Sequence, residues 1–180
     1  MRGRQTIRDM VLSMAAIGAV VGTIYIFLPN DDNGDPLKRV EYRLEQVTAQ
    51  RAAPYPVFAP QGLPKEWKAT SVSFRGSESD AWHLGFLDPQ KQYVAVEQST
   101  EDPKKFIPRV THQAEDTGRT ERVGAEVWQR WEGGKYDALV REEKGGATTV
   151  VTGTAPLERL AEMAAALEAK PSQPAAEVKS

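Results

Sequence analysis

The chain has no cysteine. Disulfides, thiol chemistry, Cys-ligated metal sites and a lipid carried on an amino-terminal cysteine are all excluded, so an extracytoplasmic domain here relies on packing alone. Histidine is nearly as scarce. His83 and His112 are the whole supply, and two histidines without a spaced acid make no metal signature. No G-x-S-x-G elbow and no G-x-x-x-x-G-K-[ST] loop occurs, which removes two familiar patterns of serine hydrolysis and phosphate binding. No cofactor and no metal is expected. A basic footprint is also missing. Of 23 basic and 25 acidic residues, three Arg and one Asp fall in the first nine positions, leaving 20 against 24 and a net charge of −4 for the rest. That balance speaks against nucleic acid as a partner and against electrostatic adhesion to an anionic membrane surface.

What the chain does have is a run of nineteen uncharged residues at 10–28, MVLSMAAIGAVVGTIYIFL. As a helix it would be about 28 Å long, against roughly 30 Å for the hydrocarbon core of a bilayer. Ser13 and Thr23 are its most polar members, and Tyr25 lies where an amphipathic ring suits the headgroup boundary. Pro29 and Asn30-Asp31-Asp32-Asn33-Gly34 break the helix. Arg2, Arg4 and Arg8 precede the run, whereas Asp31, Asp32 and Asp35 follow it. Lys and Arg are retained inside, so the amino terminus is expected in the cytoplasm and the rest outside. A cleaved leader would have a shorter apolar core and a small-x-small site, but here Leu28-Pro29-Asn30 follows. The expectation is a single-pass plasma-membrane protein whose first partner is membrane lipid. Gly18 and Gly22 form a G-x-x-x-G spacing that would permit a homodimer, but glycine is common in membrane spans and no further pattern supports the pairing.

The remaining chain divides by composition. Residues 1–9 form a basic tail and 10–28 the transmembrane helix. Residues 29–54 form a linker with an amphipathic helix, 55–170 an external domain, and 171–180 a Pro/Ala/Ser-rich tail expected to be disordered. In the linker, Asp35-Pro36-Leu37 is a helix-start signal, and Leu37, Val40, Leu44 and Val47 make one apolar stripe. Tyr55 to Pro60 is extended by its prolines.

Strand patterns begin at Trp67. Val72 and Phe74 alternate; Trp82, Leu84 and Phe86 share one face, with His83 and Gly85 on the other. The turn Asp88-Pro89-Gln90-Lys91 leads into Tyr93 to Gln98 with Val94 and Val96 inward, which predicts a hairpin. Asp102-Pro103 starts a short helical turn through Phe106, Ile107 and Val110, and residues 111–122 read as a polar loop. Gly133-Gly134 and Gly145-Gly146 are tight turns separating three more strands. Thr154 is expected to cap a final helix with the stripe Leu157, Leu160, Ala161, Ala164 and Leu167. Short turns force antiparallel neighbours. The expected fold class is therefore α+β: one transmembrane helix, then an antiparallel sheet of about six strands packed with a C-terminal helix on one side.

Catalytic constellations are thin. Ser77, Asp80 and His83 lie close in sequence, but a loop joins the first two to a strand. Glu142 and Glu143 alternate across a strand and cannot share a proton. The tryptophans are the more informative group. Trp82, Trp128 and Trp131 are the candidate binding residues, as a flat stacking surface for a sugar or peptide, with core packing as the competing role. Trp128 and Trp131 differ by an odd step and so face opposite sides of a regular strand.

Leu63-Pro64-x-x-Trp67, Trp82-His83-Leu84-Gly85-Phe86, Tyr93-x-Ala95-x-Glu97-Gln98-Ser99 and Val150-Val151-Thr152-Gly153-Thr154-Ala155, in this order, give the chain a family likeness. It resembles a bacterial group known as domain of unknown function forty-two forty-five. The resemblance implies a single-pass membrane protein with an external domain, and implies no activity, cofactor or catalytic residues. The functional expectation is a non-enzymatic envelope protein whose external domain binds a protein or cell-wall partner. One alternative is an envelope hydrolase, which needs several of His83, Asp80, Glu97 and Trp128 to converge; the other is a structural subunit of a membrane complex.

Overall fold

The computed structural model describes residues 10–18, 20–21, 40–143 and 145–170. The basic tail, the later part of the expected span, the helix start at Asp35-Pro36-Leu37 and the final tail lie outside them. Two units divide the chain, residues 1–36 and 37–180. In the first, residues 10–18 and 20–21 are helical (α1), and the apolar side chains of Leu12, Ile17 and Val21 are exposed. Among the described residues no helix is both long and apolar enough to cross a membrane.

The second unit is α+β. In chain order it contains α2 (Arg43–Ala52), β1 (Val57–Pro60), β2 (Lys68–Arg75), β3 (Ala81–Leu87), β4 (Tyr93–Ser99), α3 (Pro103–Val110), β5 (Glu115–Val123), β6 (Glu126–Glu132), β7 (Asp137–Glu142), β8 (Thr148–Gly153), α4 (Leu157–Ala166) and β9 (Leu167–Lys170). Seven strands form one antiparallel sheet in the order β2-β3-β4-β8-β7-β6-β5, and β1 pairs with β9 in a two-stranded sheet. Two meanders build the large sheet. The first, β2 to β4, ends at the centre; α3 carries the chain over one face to the far edge, and β5 to β8 return to the centre beside β4.

Strand alternation sorts the side chains into two cores. On one face Trp82, Leu84, Phe86, Val96, Val151 and Leu139 meet Ala49 of α2 and Leu160 and Met163 of α4. On the other, Phe106 and Ile107 of α3 cover Ala138, Val140 and Val150. Helices therefore cover both faces instead of one. The short helix expected at Asp102-Pro103 is the one that covers the second face, and Asp102 caps it by accepting a hydrogen bond from Lys104 N at 3.0 Å.

The other departures have local causes. Most of the stretch expected as a polar loop is β5, an edge strand largely exposed on both faces up to the buried Val123 and therefore without an alternating apolar signature. In α2 the buried residues are Gln46 and Ala49, while Leu44 is 77% exposed and Val47 40%. Of the expected stripe, Leu44 and Val47 therefore face outward, whereas Val40 precedes the helix and packs half-buried against the core. Thr154 does not cap α4, whose N-cap position is Pro156. Its hydroxyl instead accepts from Tyr93 N at 3.0 Å. The final helix stops at Ala166, and Leu167, expected on its stripe, opens β9 and pairs with Pro60.

Candidate functional site

The β3–β4 hairpin sets the first cluster. Its register places His83 directly opposite Glu97, and β2 lies on the other side of β3 with Ser71 opposite Gly85. A bulge between Ala69 and Ser71 shifts β2 just before the serine. His83 Nδ1 lies 2.6 Å from Glu97 Oε1, and His83 Nε2 lies 2.8 Å from Ser71 Oγ. An ionised carboxylate only accepts, so Nδ1–H donates to Glu97, and in the neutral imidazole Nε2 then accepts the Ser71 O–H. The Tyr93 hydroxyl and the Ser71 hydroxyl both face the gap over Gly85. Burial, reinforced by the Glu97 charge, pushes the Tyr93 hydroxyl up to about 12, so it stays protonated at neutral pH. Gly85 makes this convergence possible, because a Cβ there would collide with Ser71 Oγ and approach Tyr93 Oη to 2.9 Å. The His83 and Glu97 side chains remain 22% and 15% exposed, so solvent reaches the row.

A second cluster lies on the opposite face. A cleft of about 610 Å³ is lined by Phe58, Trp128 and Arg141 together with Ala164, Ala165 and Leu167. The Arg141 guanidinium sits 5.2 Å from the Phe58 ring and 4.8 Å from the Trp128 ring, a cation–π arrangement. Arg141 Nε donates to Glu143 Oε1 at 2.9 Å, and the Thr149 hydroxyl donates to the same oxygen at 2.9 Å. Glu126 Oε2 completes the set at 3.4 Å from Arg141 Nη1.

A family model described as "Protein of unknown function (DUF4245)" matches residues 2–167. The chain belongs to that family. No curated protein matches it. The DUF4245 match spans both clusters, and the family's description gives neither a role.

The three tryptophans expected as a DUF4245 stacking surface do not form one surface. Trp82 and Trp128 are buried in the larger core, and Trp131 packs half-buried in the smaller one on the opposite face. The odd spacing of Trp128 and Trp131 does separate them. Trp82 sinks because its indole Nε1 finds a buried partner, the Phe58 carbonyl at 3.0 Å. The four residues named for a hydrolase do not converge either. His83 and Glu97 meet, but Trp128 lies across the sheet, and Asp80 belongs to the β2–β3 turn, where its carbonyl accepts from the Tyr55 hydroxyl. His112 stacks edge-on against Tyr136, its ring centroid 4.6 Å away. Among the described residues no group of three or more His, Asp or Glu is arranged to hold a metal ion.

Two residues escaped the sequence reading. Ser71 carried no motif, and its place emerges only when β2 pairs with β3. Arg141 did leave a signal: it shares the inward parity of Leu139, and a charge at a core-facing strand position asks for partners.

Proposed function

We propose that this chain is a single-pass, membrane-anchored protein of the bacterial envelope whose external domain binds a protein partner through the Arg141 cleft. The cleft carries the binding half of the reading. It pairs an apolar wall from Ala164, Ala165 and Leu167 with a guanidinium held against two aromatic rings. The Glu126 side chain is 61% exposed and stands 3.4 Å from Arg141. An ion pair whose carboxylate stands mostly in solvent is weak. A carboxylate on an incoming segment can therefore take the place of Glu126, while Glu143 keeps the guanidinium oriented. A chain segment with apolar side chains and one acidic group suits the cleft better than a neutral glycan.

The anchor half rests on the uncharged run at 10–28, on arginines before it and aspartates after it, and on the exposed apolar side chains of α1. The domain's net acidity supports a role held at the membrane by the anchor and not by surface charge.

The test titrates the purified domain with envelope extracts, for the natural chain and for Ala165→Trp, which fills the cleft from an exposed position of α4. A retained protein that the substitution releases is the expected result. Retention of glycan alone, or equal retention by both forms, would reject this partner class or this cleft. Release of the full-length chain from membranes by alkaline carbonate would reject the anchor.

A further inference from the structure

We propose that Ser71, His83, Glu97 and Tyr93 form a hydrolytic site that cleaves carboxylic esters. The geometry assigns each a distinct role. Ser71 Oγ lies 2.8 Å from His83 Nε2, the distance at which an imidazole takes a hydroxyl proton as oxygen attacks carbon. His83 Nδ1 at 2.6 Å from Glu97 Oε1 fixes the tautomer that leaves Nε2 free to accept. Nucleophile, base and orienting acid are thus linked in one hydrogen-bonded row across three neighbouring strands. Their order in the chain, Ser–His–Glu, matches no sequence pattern because the row runs perpendicular to the strands.

Tyr93 supplies the fourth element. Its hydroxyl faces the same gap over Gly85 as the Ser71 hydroxyl, and burial keeps the phenol protonated at neutral pH. A donor beside the attacking oxygen can stabilise the negative oxygen of a tetrahedral intermediate. A single phenol is a modest oxyanion donor, which limits the site to esters, whose alkoxide is a better leaving group than an amine. Gly85 leaves open the space above β3 that the two hydroxyls face.

The chemistry closes on itself. Ser71 Oγ bonds to the ester carbonyl carbon while its proton passes to His83 Nε2. The intermediate expels the alcohol, which takes that proton, and Ser71 is left acylated. Water then attacks the acyl carbon, gives one proton to His83, and releases the carboxylic acid as the proton returns to Ser71. The sum is ester plus water to acid plus alcohol, with no redox partner needed.

Ser73 provides an internal control. It sits on the same strand and face, opposite His83 in the register, yet has no hydrogen bond to the imidazole among the described residues. If the row were only a set of mutually satisfied surface side chains, Ser71 would be no more reactive than Ser73. The experiment treats the full-length chain with a fluorophosphonate probe, locates the adduct by peptide mass spectrometry, and follows hydrolysis of p-nitrophenyl acetate.

The expected result is an adduct on Ser71 and none on Ser73, with hydrolysis lost in Ser71→Ala. His83→Ala slows labelling by about 100-fold or more. Tyr93→Phe lowers kcat and leaves KM in place. Glu97 is a positioning residue: Glu97→Gln lowers the rate and moves its pH profile, and Glu97→Asp restores part of both. Labelling of Ser71 no faster than of Ser73 in the natural chain would overturn the proposal without reliance on any variant. This site lies on the face opposite the Arg141 cleft, so its failure leaves the binding proposal standing.

Discussion

Gln98 Oε1 accepts a hydrogen bond from Phe58 N at 2.7 Å, inside the larger core. The same amide donates to Pro56 O and to Thr149 Oγ1, each at 3.2 Å. Trp82 Nε1 takes the Phe58 carbonyl at 3.0 Å. Both backbone groups of Phe58 are thus satisfied by side chains from the large sheet, and this fastens the small β1–β9 sheet to it. A buried backbone N–H left unpaired costs about 1–3 kcal/mol. Gln98→Leu should therefore destabilise the domain by about that amount, read as a lower denaturant midpoint with an unchanged slope. A change below about 0.5 kcal/mol would show that the two sheets are held by apolar contact alone.

Gly153 and the Tyr93 carbonyl set a second expectation. A Cβ at Gly153 would collide with that backbone oxygen, which no side-chain rotation can relieve, whereas one at Gly145 would meet nothing within 4 Å. Gly153→Ala should cost about 3 kcal/mol or more, because backbone must shift. Gly145→Ala should fall within about 0.5 kcal/mol of the natural chain. Thermal melts of the two variants, compared side by side, check the pairing of β4 with β8.

The orientation of α2 is testable in the same way. Leu44 and Val47 are exposed and Ala49 is fully buried. Replacing Leu44 and Val47 together by Gln should leave stability within about 1 kcal/mol, since both side chains already reach solvent. Ala49→Leu should cost about 1–3 kcal/mol by overpacking the helix against the sheet. The reverse ranking would mean that Leu44 and Val47 face inward.

Tyr93 gives the domain a pH dependence on the alkaline side. Burial and then the Glu97 charge raise its hydroxyl from its ordinary 10.0 to about 12. The protonated phenol is the form the fold favours. Its contribution is therefore complete below about pH 10 and is lost as the pH rises to about 12. Stability of the natural chain should fall across that window, and Tyr93→Phe should flatten the fall. Tyr55, also raised by burial and by the nearby Asp80 charge, keeps some slope in both forms. Tyrosinate absorbance, followed through the same titration, should show the Tyr93 step absent from the variant.

Much of the domain was readable along the chain, because turns and strand alternation are local. Trp82, Leu84 and Phe86 repeat at the strand period, and the Asp88–Lys91 turn set the β3–β4 hairpin. With that hairpin register in hand, the pairing of His83 with Glu97 was already implicit. What escaped was carried by weak local signals. The polar β5 is held by pairing with β6, and β9 is a strand because β1 offers it an edge. Gln46 is buried on α2 because the helix's exposure follows its docking, not its hydropathy.

By itself, the sequence determined the uncharged run at 10–28 with its flanking charges, the α+β class, the antiparallel pairing through short turns, and the absence of any cysteine-based chemistry. These depend on composition and on spacings of a few residues. The tertiary structure alone decided that Ser71 reaches His83, that Arg141 lies against Phe58 and Trp128, and that Trp82 and Trp128 face inward. Each joins residues brought together by strand order. That order follows from how two meanders bury their apolar faces under three helices, a balance summed over the whole domain and written in no single segment.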